Sequence, residues 1–127
     1  MKYLSEEICY LSLTSLALKI RKRELSPIEV MESFIYRIKK RNITLNSFVS
    51  ELFDKAFDKA VEYEKKIIAG NIIGPLHGIP VALKDLSSSK PGTVLTMGGI
   101  PALKNNITNH LCFFSEKIEK AGGIIIG

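Results

Sequence analysis

The amino-acid sequence predicts an α/β fold, and three features of its pattern support this prediction. Apolar residues recur at helical spacing in four separate segments of the chain. Two short runs, residues 79–83 and 124–126, are apolar throughout, which is typical of strands in a parallel sheet covered by helices on both faces. The second run follows the last predicted helix and completes a strand–helix–strand pattern before Gly127. We therefore expect N-terminal helices packed on the first strands of a mixed sheet, as an incomplete α/β unit.

The first two predicted helices occupy the N-terminal third of the chain. The first carries its apolar residues on one face and ends near Arg23. The second begins with a capping box, in which Ser26 is the N-cap, Pro27 the first helical residue and Glu29 the residue that bonds back to the N-cap. It continues to about Arg41. Its buried face is predicted to consist of Ile28, Met31, Phe34, Ile35 and Ile38.

A short strand and a third helix are predicted next. The strand covers residues 46–50, where a turn is followed by residues of high β propensity. The helix runs from about Leu52 to Ile68, and Gly70 is suited to follow its end because glycine readily adopts a left-handed conformation. Its buried side is predicted to contain Phe53, Ala56, Phe57, Ala60, Val61 and Ile67.

The segment from Leu86 to Thr108 shows neither helical nor strand periodicity. A structureless stretch of this length is uncommon in a compact domain unless it is functional or lacks its partner, so we expect a long loop. A last helix is predicted after this loop, with Asn109 as a candidate N-cap. Its buried face is expected to contain Leu111, Phe114, Ile118 and Ala121.

The composition is that of an ordinary globular protein, with 46% hydrophobic residues, 24% charged residues and a formal charge of +5. Much of the positive charge lies in two clusters, residues 19–23 and 37–41, which are predicted to form the last turns of the first two helices. Cations in a last turn complement the helix dipole. Solvated helix ends are therefore favoured over a nucleic-acid interface, and no nucleic-acid partner is expected.

The two cysteines, Cys9 and Cys112, are far apart and lack the spacing of metal ligands. Reduced thiols that pack as small apolar side chains are expected, and no metal site is predicted. No apolar run approaches the roughly 20 residues that span a bilayer, and the acidic N-terminus is unlike a signal peptide. The sequence therefore predicts a soluble, cytoplasmic protein that does not interact with membranes.

The most informative segment covers residues 74–85, in which Lys84 directly follows the apolar run 79–83. A lysine that leaves a buried strand loses its proton more readily than one in water, because desolvation disfavours the ammonium form. Such a lysine can act as a general base for a neighbouring hydroxyl nucleophile. The alternative is a solvated lysine at a strand end, which the residues alone favour because exposed lysine is the rule.

Four segments of the chain resemble the N-terminal part of the amidase signature family, serine hydrolases that cleave amides with a Ser–cis-Ser–Lys triad. Residues 16–30 resemble the opening helix pair of the family, and residues 45–49 resemble the strand that follows. Residues 74–85 are similar to the segment that carries the catalytic lysine, and residues 121–127 to a later strand. The resemblance implies that residues 1–127 are the N-terminal part of a single amidase domain, about the first quarter of a typical member.

The resemblance implies that Lys84 is the catalytic lysine, which hydrogen-bonds the cis-serine that activates the nucleophilic serine. It also implies that a small-molecule carboxylic amide is hydrolysed without a metal or cofactor. The two triad serines and the oxyanion hole are expected beyond Gly127. Ser87, Ser88 and Ser89 match the variable loop after the lysine and are not assigned as the nucleophile. The chain alone is therefore expected to be inactive.

Other polar and glycine residues near the lysine are expected to be structural. Asp85 is expected to orient backbone or the lysine, and His77 to pack in its loop because no acidic or hydroxyl partner is near it in sequence. Gly98 and Gly99 are interpreted as turn residues. Gly99 also stands where many members of the family have the serine of a Thr-x-Gly-Ser stretch, so a hydroxyl near the active-site region is missing.

Two alternatives to an amidase remain open at this point. One is a segment similar to the amidase-like component of a glutamyl-tRNA amidotransferase, although Leu86 follows Asp85 where that branch usually has a polar residue. The other is a non-catalytic, truncated remnant of an amidase. In either case, exposed edges of the apolar strands 79–83 and 124–126 predict poor solubility or self-association.

Overall fold

The computed structural model describes residues 5–86 and 88–127. Its elements, in chain order, are a 3₁₀ helix at Glu6–Tyr10, α1 at Leu13–Arg21, α2 at Pro27–Leu45, α3 at Phe53–Ile68, β1 at Pro80–Val81, β2 at Thr93–Val94, a second 3₁₀ helix at Pro101–Leu103, β3 at Ile107–Thr108, α4 at Phe113–Lys120 and β4 at Ile124–Ile125. This mixture of helices and short strands confirms the predicted α/β class.

The start of α2 matches the predicted capping box. The Ser26 hydroxyl accepts a hydrogen bond from the Ile28 N–H at 3.0 Å, and the Glu29 carboxylate accepts one from the Ser26 N–H at 2.9 Å. Pro27 occupies the first helical position, where the missing N–H is not needed for an intrahelical bond. These contacts pair backbone groups that the first turn of a helix otherwise leaves unpaired.

The end of α2 lies further along the chain than predicted. The helix continues to Leu45, and Asn46 then adopts a left-handed conformation with a φ of 46°. The basic residues 37–41 consequently lie within the helix, so the prediction that they complement its dipole from the last turn is wrong. The same prediction is confirmed for α1, whose last turn contains Lys19 and Arg21. Within the described ranges, neither α2 nor any other helix combines the length and apolar character needed to cross a membrane.

α3 confirms the third predicted helix, and Gly70 follows its end with a φ of 81°. Much of the predicted inner face is buried. Tyr63 is buried as well, which the sequence pattern did not indicate, whereas Phe57 and Val61 are only half-buried. The buried residues that were predicted are Phe53, Ala56, Ala60 and Ile67.

β1 and β4 form a parallel pair, and each lies in an apolar run that was predicted to be a strand. The Gly78 N–H donates to the Gly122 carbonyl at 3.0 Å just before the paired residues. Gly122 has a φ of 90°, and a Cβ there would lie 2.8 Å from the Cα of His77, so this close approach requires glycine. The Cα partners within the strands are Pro80 with Ile124 and Val81 with Ile125.

The two strands differ in how completely they are covered. β4 and the adjoining Ile126 are buried, which confirms the prediction for residues 124–126. On β1 and its flanks, Ile79 is buried and Val81 packs against a hydrophobic cluster, whereas Ala82 is exposed. The cover of this strand is therefore incomplete in the part of the chain that the structure describes, as expected for an incomplete α/β unit.

Two hydrophobic clusters hold the helices against the strand pair. The first joins α2 and α3 to β4 and contains Met31, Phe53, Ala56, Ala60, Tyr63, Ile124 and Ile126. The second joins the first 3₁₀ helix, α1, α2 and α3 to the start of β1 and contains Ile8, Leu16, Ile20, Val30, Ile67 and Ile79. Because α2 and α3 contribute to both clusters, these two helices form the centre of the packing.

Residues 46–50 do not form the predicted strand. The Asn42 side chain pairs both backbone groups of Phe48, since its Oδ1 accepts from the N–H at 2.9 Å and its Nδ2 donates to the carbonyl at 2.8 Å. Backbone groups that are already paired with a side chain are not available for a strand ladder. The chain reaches the sheet only at Leu52, whose N–H donates to the Ile126 carbonyl at 3.1 Å.

The segment 86–108 is not wholly irregular, contrary to the prediction of a long loop. It contains β2 and β3, which pair in an antiparallel arrangement. Just beyond the pair, the Asn106 side chain donates to the Leu95 carbonyl at 3.0 Å. Strands of two residues are too short to produce a recognisable period in the sequence. The paired residues are Thr93 with Thr108 and Val94 with Ile107.

α4 begins at Phe113, and its N-cap is Cys112 rather than the predicted Asn109. The Cys112 sulfur accepts a hydrogen bond from the Ser115 N–H at 3.4 Å. The prediction that Cys112 acts only as a small apolar side chain is therefore wrong, because its sulfur pairs the open first turn of the helix. The predicted buried face is also wrong for Leu111 and Phe114, which are 37% and 53% exposed, whereas Ser115 is buried.

Candidate active site

Lys84 lies at the carboxyl end of β1, directly after the last hydrogen bond to the neighbouring chain segment. The Leu83 N–H donates to the Gly127 carbonyl at 2.8 Å, which fixes the backbone immediately before the lysine. α/β sheets bind their ligands at the carboxyl ends of parallel strands. The location is therefore typical of a site residue, and the catalytic role of Lys84 stays a prediction.

A groove of about 220 Å³ opens beside Lys84. Residues 48 and 50 pack closely against Gly127 in the wall of the groove. A Cβ on Gly127 would lie 2.7 Å from the Ser50 carbonyl oxygen and 2.8 Å from the Phe48 ring. The turn that replaces the predicted strand therefore contributes to the groove, and sequence reasoning missed this contribution. The signal in the sequence was Asn42, six residues before Phe48 and able to bond its backbone. The lining comprises Ser47–Ser50, Leu52, Ala82–Asp85, Ser88, Thr93–Leu95, Ile125 and Gly127.

The Lys84 side chain is exposed, and it forms no ion pair or hydrogen bond with any residue that the structure describes. The groove beside it is lined with hydroxyl-bearing side chains, those of Ser47, Ser50, Ser88 and Thr93. Within the described residues Lys84 is thus a solvated amine, as the simpler of the two sequence interpretations expects. Its Nζ is not held by an ion pair with any described carboxylate, and the adjacent Asp85 bonds Thr96 instead.

Asp85 holds the loop that follows β2, through two hydrogen bonds from Thr96. Its Oδ1 accepts a hydrogen bond from the Thr96 N–H at 2.8 Å, and its Oδ2 accepts one from the Thr96 hydroxyl. Burial tends to raise the pKa of this carboxyl, but hydrogen bonds from Thr96 and from the N–H groups of Met97 and Gly98 leave the pKa below its usual value. The prediction that Asp85 orients backbone is confirmed.

The loop after Thr96 is a tight turn in which three successive residues have positive φ. Met97, Gly98 and Gly99 have φ values of 53°, 83° and 91°, and the Gly99 N–H donates to the Thr96 hydroxyl at 2.9 Å. The interpretation of Gly98 and Gly99 as turn residues is confirmed. A side chain at position 99 would be strained at the φ of 91°, so glycine suits this turn better than serine does. Serine is the residue at this position in many members of the family that the sequence resembles.

The serines after the lysine occupy different environments. Ser88 lines the groove, whereas Ser89 is buried and its N–H donates to the Cys112 sulfur at 3.4 Å. Ser87 lies outside the described residues. Hydrogen bonds from the Ser115 hydroxyl and N–H lower the pKa of the Cys112 thiol. Of these serines, only Ser88 is placed at the groove by the described part of the chain.

His77 lies in the interior and not at the groove. Its Nε2–H donates to the Tyr63 carbonyl at 2.9 Å, its Nδ1 accepts from the Ile73 N–H at 3.2 Å, and its ring stacks on Tyr63 with the centroids 4.9 Å apart. Because both ring nitrogens have backbone partners, the backbone selects the tautomer. The prediction that His77 has a packing role in its loop is confirmed.

Among the residues that the structure describes, Cys9 and the groups of His, Cys, Asp and Glu side chains give no second candidate site. Cys9 is half-buried, and burial raises the pKa of its thiol, which suits inert packing. In the ranges 5–86 and 88–127, no group of three His, Cys, Asp or Glu side chains is close enough to hold a metal ion. The groove itself offers one exposed amine, several hydroxyl groups and the Asp85 carboxylate, which Thr96 already engages.

Comparison with known proteins finds a matching family model, similar sequences and similar solved structures. A family model described as Amidase matches residues 29–127. The acylamidase of Rhodococcus erythropolis is 30% identical over 122 residues, which make up 96% of this chain and 25% of that protein. A component of the glutamyl-tRNA(Gln) amidotransferase of Lachnospira eligens is 34% identical over 112 residues, 88% of this chain and 23% of that protein. The solved structure of a bacterial aryl acylamidase of the amidase signature family matches with a TM-score of 0.87 at 32% identity, over 93% of this chain and 24% of that one.

The architecture is a partial amidase-signature α/β fold, as the resemblance in the sequence predicted. The match of the family model extends over most of the chain, from α2 to Gly127, and the chain belongs to the amidase family. The chain spans about a quarter of the length of the curated relatives that it matches.

Proposed function

We propose that this chain carries the catalytic lysine of an amidase that hydrolyses carboxylic amides, at C–N bonds other than peptide bonds. The observation that carries the proposal is the position of Lys84, at the carboxyl end of β1 and beside a groove lined with hydroxyl-bearing residues. Membership of the family supports the proposal, because residues 74–85 resemble the segment that carries the lysine.

In the proposed reaction, Lys84 is the general base. Its neutral Nζ accepts a proton from the cis-serine, which in turn accepts one from the nucleophilic serine as that hydroxyl attacks the amide carbon. The C–O bond of an acyl-enzyme forms, the C–N bond breaks, and the amine leaves with the proton that the base returns. Water then attacks the ester by the same route and releases the carboxylic acid.

We propose further that residues 1–127 alone do not turn over amides. The family resemblance assigns neither triad serine to a residue of this chain. Ser88 shares the groove with Lys84, but it matches the loop after the lysine and not a triad position. In the relatives, about three quarters of the protein lie outside the part that this chain matches.

Acyl amides are the substrate class that we favour, because an acylamidase occurs among both the sequence relatives and the solved structures. The second candidate is the corresponding component of a glutamyl-tRNA amidotransferase, supported by the relative from Lachnospira eligens at 34% identity. The two candidates differ in the amine released, which is organic for an acyl anilide and ammonia for glutamine. Leu86, which follows Asp85 where the amidotransferase components usually have a polar residue, supports the acyl amide.

A chimera tests the role of Lys84. Residues 1–127 replace the matching quarter of the Rhodococcus erythropolis acylamidase, and release of the amine from an acyl anilide is measured. We expect an active chimera, and a loss of kcat/KM of about a thousandfold for Lys84→Ala, since a general base contributes on the order of 10²–10⁴ in rate. The matched control is Lys104→Ala, which removes another exposed lysine without an ion pair to the described residues. Equal activity of the two variants would refute the proposed role.

The unmodified chain is assayed beside the chimera, with the same anilide and with glutamine. We expect no release of organic amine or ammonia above the blank. Anilide hydrolysis by the unmodified chain would contradict the proposed dependence on triad serines from outside it. Ammonia release from glutamine by the chimera, together with an inert anilide, would favour the amidotransferase candidate. Circular dichroism of each variant establishes that a loss of activity does not reflect a loss of fold.

A further inference from the structure

The turn at residues 46–50 is held to the last turn of α2 by one side chain, that of Asn42. Its Oδ1 accepts a hydrogen bond from the Phe48 N–H at 2.9 Å, and its Nδ2 donates to the Phe48 carbonyl at 2.8 Å. Both bonds have the usual length of a strong N–H···O contact. The turn itself is neither helix nor strand, so no regular ladder fixes its shape. The Asn42 amide therefore determines where the Phe48 backbone lies relative to α2.

The same turn packs against the end of β4. A Cβ on Gly127 would lie 2.7 Å from the Ser50 carbonyl oxygen and 2.8 Å from the Phe48 ring, so the two segments are in close contact. Just after the turn, the Leu52 N–H donates to the Ile126 carbonyl at 3.1 Å and ties the segments together. Closely packed groups transmit a displacement to their neighbours. A shift of the Phe48 backbone is therefore expected to move Gly127 as well.

Gly127 is in turn the hydrogen-bond partner of the residue before the candidate lysine. Its carbonyl accepts from the Leu83 N–H at 2.8 Å, and this bond fixes the backbone immediately before Lys84. Asn42 and Lys84 are therefore linked by a short path in which each step is a hydrogen bond, a close contact or a peptide bond. The residues along this path are Phe48, Gly127 and Leu83.

We infer that Asn42 is a positioning residue for Lys84, because it holds the turn 46–50 against Gly127 and so fixes the backbone from which the lysine side chain extends. The inference rests on the proposed role of Lys84 as the general base. Asn42 does not belong to the lining of the lysine groove, so it acts through the backbone and not on a bound amide. A catalytic group that is displaced by about 1 Å can lose on the order of a hundredfold in rate.

Hydrogen exchange in the chain itself tests the path without a measurement of activity. In Asn42→Ala, we expect the Leu83 amide to exchange about tenfold faster relative to the Ile124 amide, which donates to the Ile79 carbonyl at the opposite end of the strand pair. Asn42→Asp keeps the size of the side chain but places an oxygen opposite the Phe48 carbonyl, so the same direction is expected. Unchanged exchange at Leu83, or an equal acceleration at Ile124, would overturn the inference.

The matched control is Ser26→Ala. It removes a capping bond at the opposite end of α2 and weakens the same helix, but it is not on the path to the lysine. We expect this variant to change the exchange of Leu83 and Ile124 by the same factor. A selective acceleration of Leu83 in Ser26→Ala would show that any loss of stability in α2 reaches the lysine, and it would overturn the specific role of Asn42.

A double-mutant cycle in the acylamidase chimera tests whether Asn42 acts through the lysine. Release of the amine from the acyl anilide is measured for Asn42→Ala, for Lys84→Ala and for the double variant. We expect Asn42→Ala to lower kcat/KM about tenfold in the presence of Lys84, and by less than about twofold once the lysine is replaced. A double variant a further tenfold or so below Lys84→Ala would overturn the inference and leave the proposed function standing. Full activity of Lys84→Ala would instead refute the proposed function, and the inference with it.

Discussion

Replacing Thr96 with valine tests whether the contact with Asp85 holds the loop beside the lysine groove. The Thr96 hydroxyl donates to Asp85 Oδ2 and accepts from the Gly99 N–H at 2.9 Å, while the Thr96 N–H donates to Asp85 Oδ1 at 2.8 Å. Valine keeps the branched shape and the backbone bond but removes the hydroxyl. Thr96→Ser keeps the hydroxyl and is the matched control.

The expected cost follows from the bonds that are lost. A hydrogen bond to a charged group contributes about 1.5–3 kcal/mol to stability. Asp85 and Thr96 are both half-buried, so water partly replaces the lost donor and the lower end of this range applies. Gly99 is exposed, and water can take over the bond to its N–H at little cost. We expect Thr96→Val to lower the free energy of unfolding by about 1.5 kcal/mol.

The size of this loss should depend on pH. The pKa of Asp85 in the folded chain is below its usual value, because the hydrogen bonds from Thr96 and its neighbours outweigh the effect of burial. A depressed folded-state pKa stabilises the fold above the unfolded pKa, about 3.9 for aspartate, and this contribution is lost as the pH falls through the folded pKa. The difference between Thr96→Val and the unmodified chain is therefore largest at neutral pH and shrinks in acid.

Urea unfolding of the unmodified chain, Thr96→Val and Thr96→Ser measures this difference at neutral pH and again below the usual aspartate pKa. Hydrogen exchange at the Gly99 amide reports on the loop itself, and we expect faster exchange in Thr96→Val alone. The reasoning would be refuted by a valine variant as stable as the serine variant at neutral pH. A loss of the same size at both pH values would show that the ionised Asp85 is not responsible.

Three further predictions concern the cap of α2, the buried His77 and the two cysteines. Ser26→Ala removes the cap of α2 and is expected to cost about 1–2 kcal/mol in urea unfolding, more than Ser12→Ala at the exposed start of α1; equal losses would contradict the role of the capping box. His77→Phe keeps a stacked ring but leaves a buried carbonyl without its donor, so we expect a loss of about 2–4 kcal/mol; an unchanged melting temperature would count against a structural role. Cys112 should be alkylated by iodoacetamide before Cys9 at neutral pH, because hydrogen bonds lower its pKa while burial raises that of Cys9. Mass spectrometry of the two peptides gives the order, and the reverse order would disprove this assignment.

The helices were predictable because their signals are local. The capping box at Ser26 and the glycine at position 70 act over a few residues. The capping box marks the start of α2 and Gly70 follows the end of α3, as the sequence indicates. The two strands in residues 79–83 and 124–126 were predictable because both runs are apolar and short, whereas their pairing with each other was not predicted. The end of α2 was not predictable, since the helix continues beyond its basic residues until Asn46 adopts a left-handed conformation.

The site was predictable only at the lysine itself. Its position after an apolar run places it at the end of β1, as the structure shows. The rest of the groove depends on contacts that the periodicity of the sequence does not record. The Asn42 side chain bonds the backbone of Phe48, so that the segment predicted as a strand lines the groove instead. Asp85 bonds Thr96, which follows β2. Contacts between a side chain and a distant backbone leave no period, so the sequence pattern alone cannot reveal them.

The incomplete cover of β1 explains why the lysine groove lies beside a second cavity, which is lined by α2 and by the uncovered face of this strand. The run 79–83 has the composition of a strand covered on both faces, yet the described helices pack against Ile79 and Val81 only. The other face, with Pro80 and Ala82, borders this second cavity, and Ala82 also borders the lysine groove. Residues 37–41 lie within α2 rather than at its end, which brings Arg37 and Arg41 to the cavity. Arg37 and Arg41 therefore line the second cavity from within α2, and the helix dipole does not account for their position.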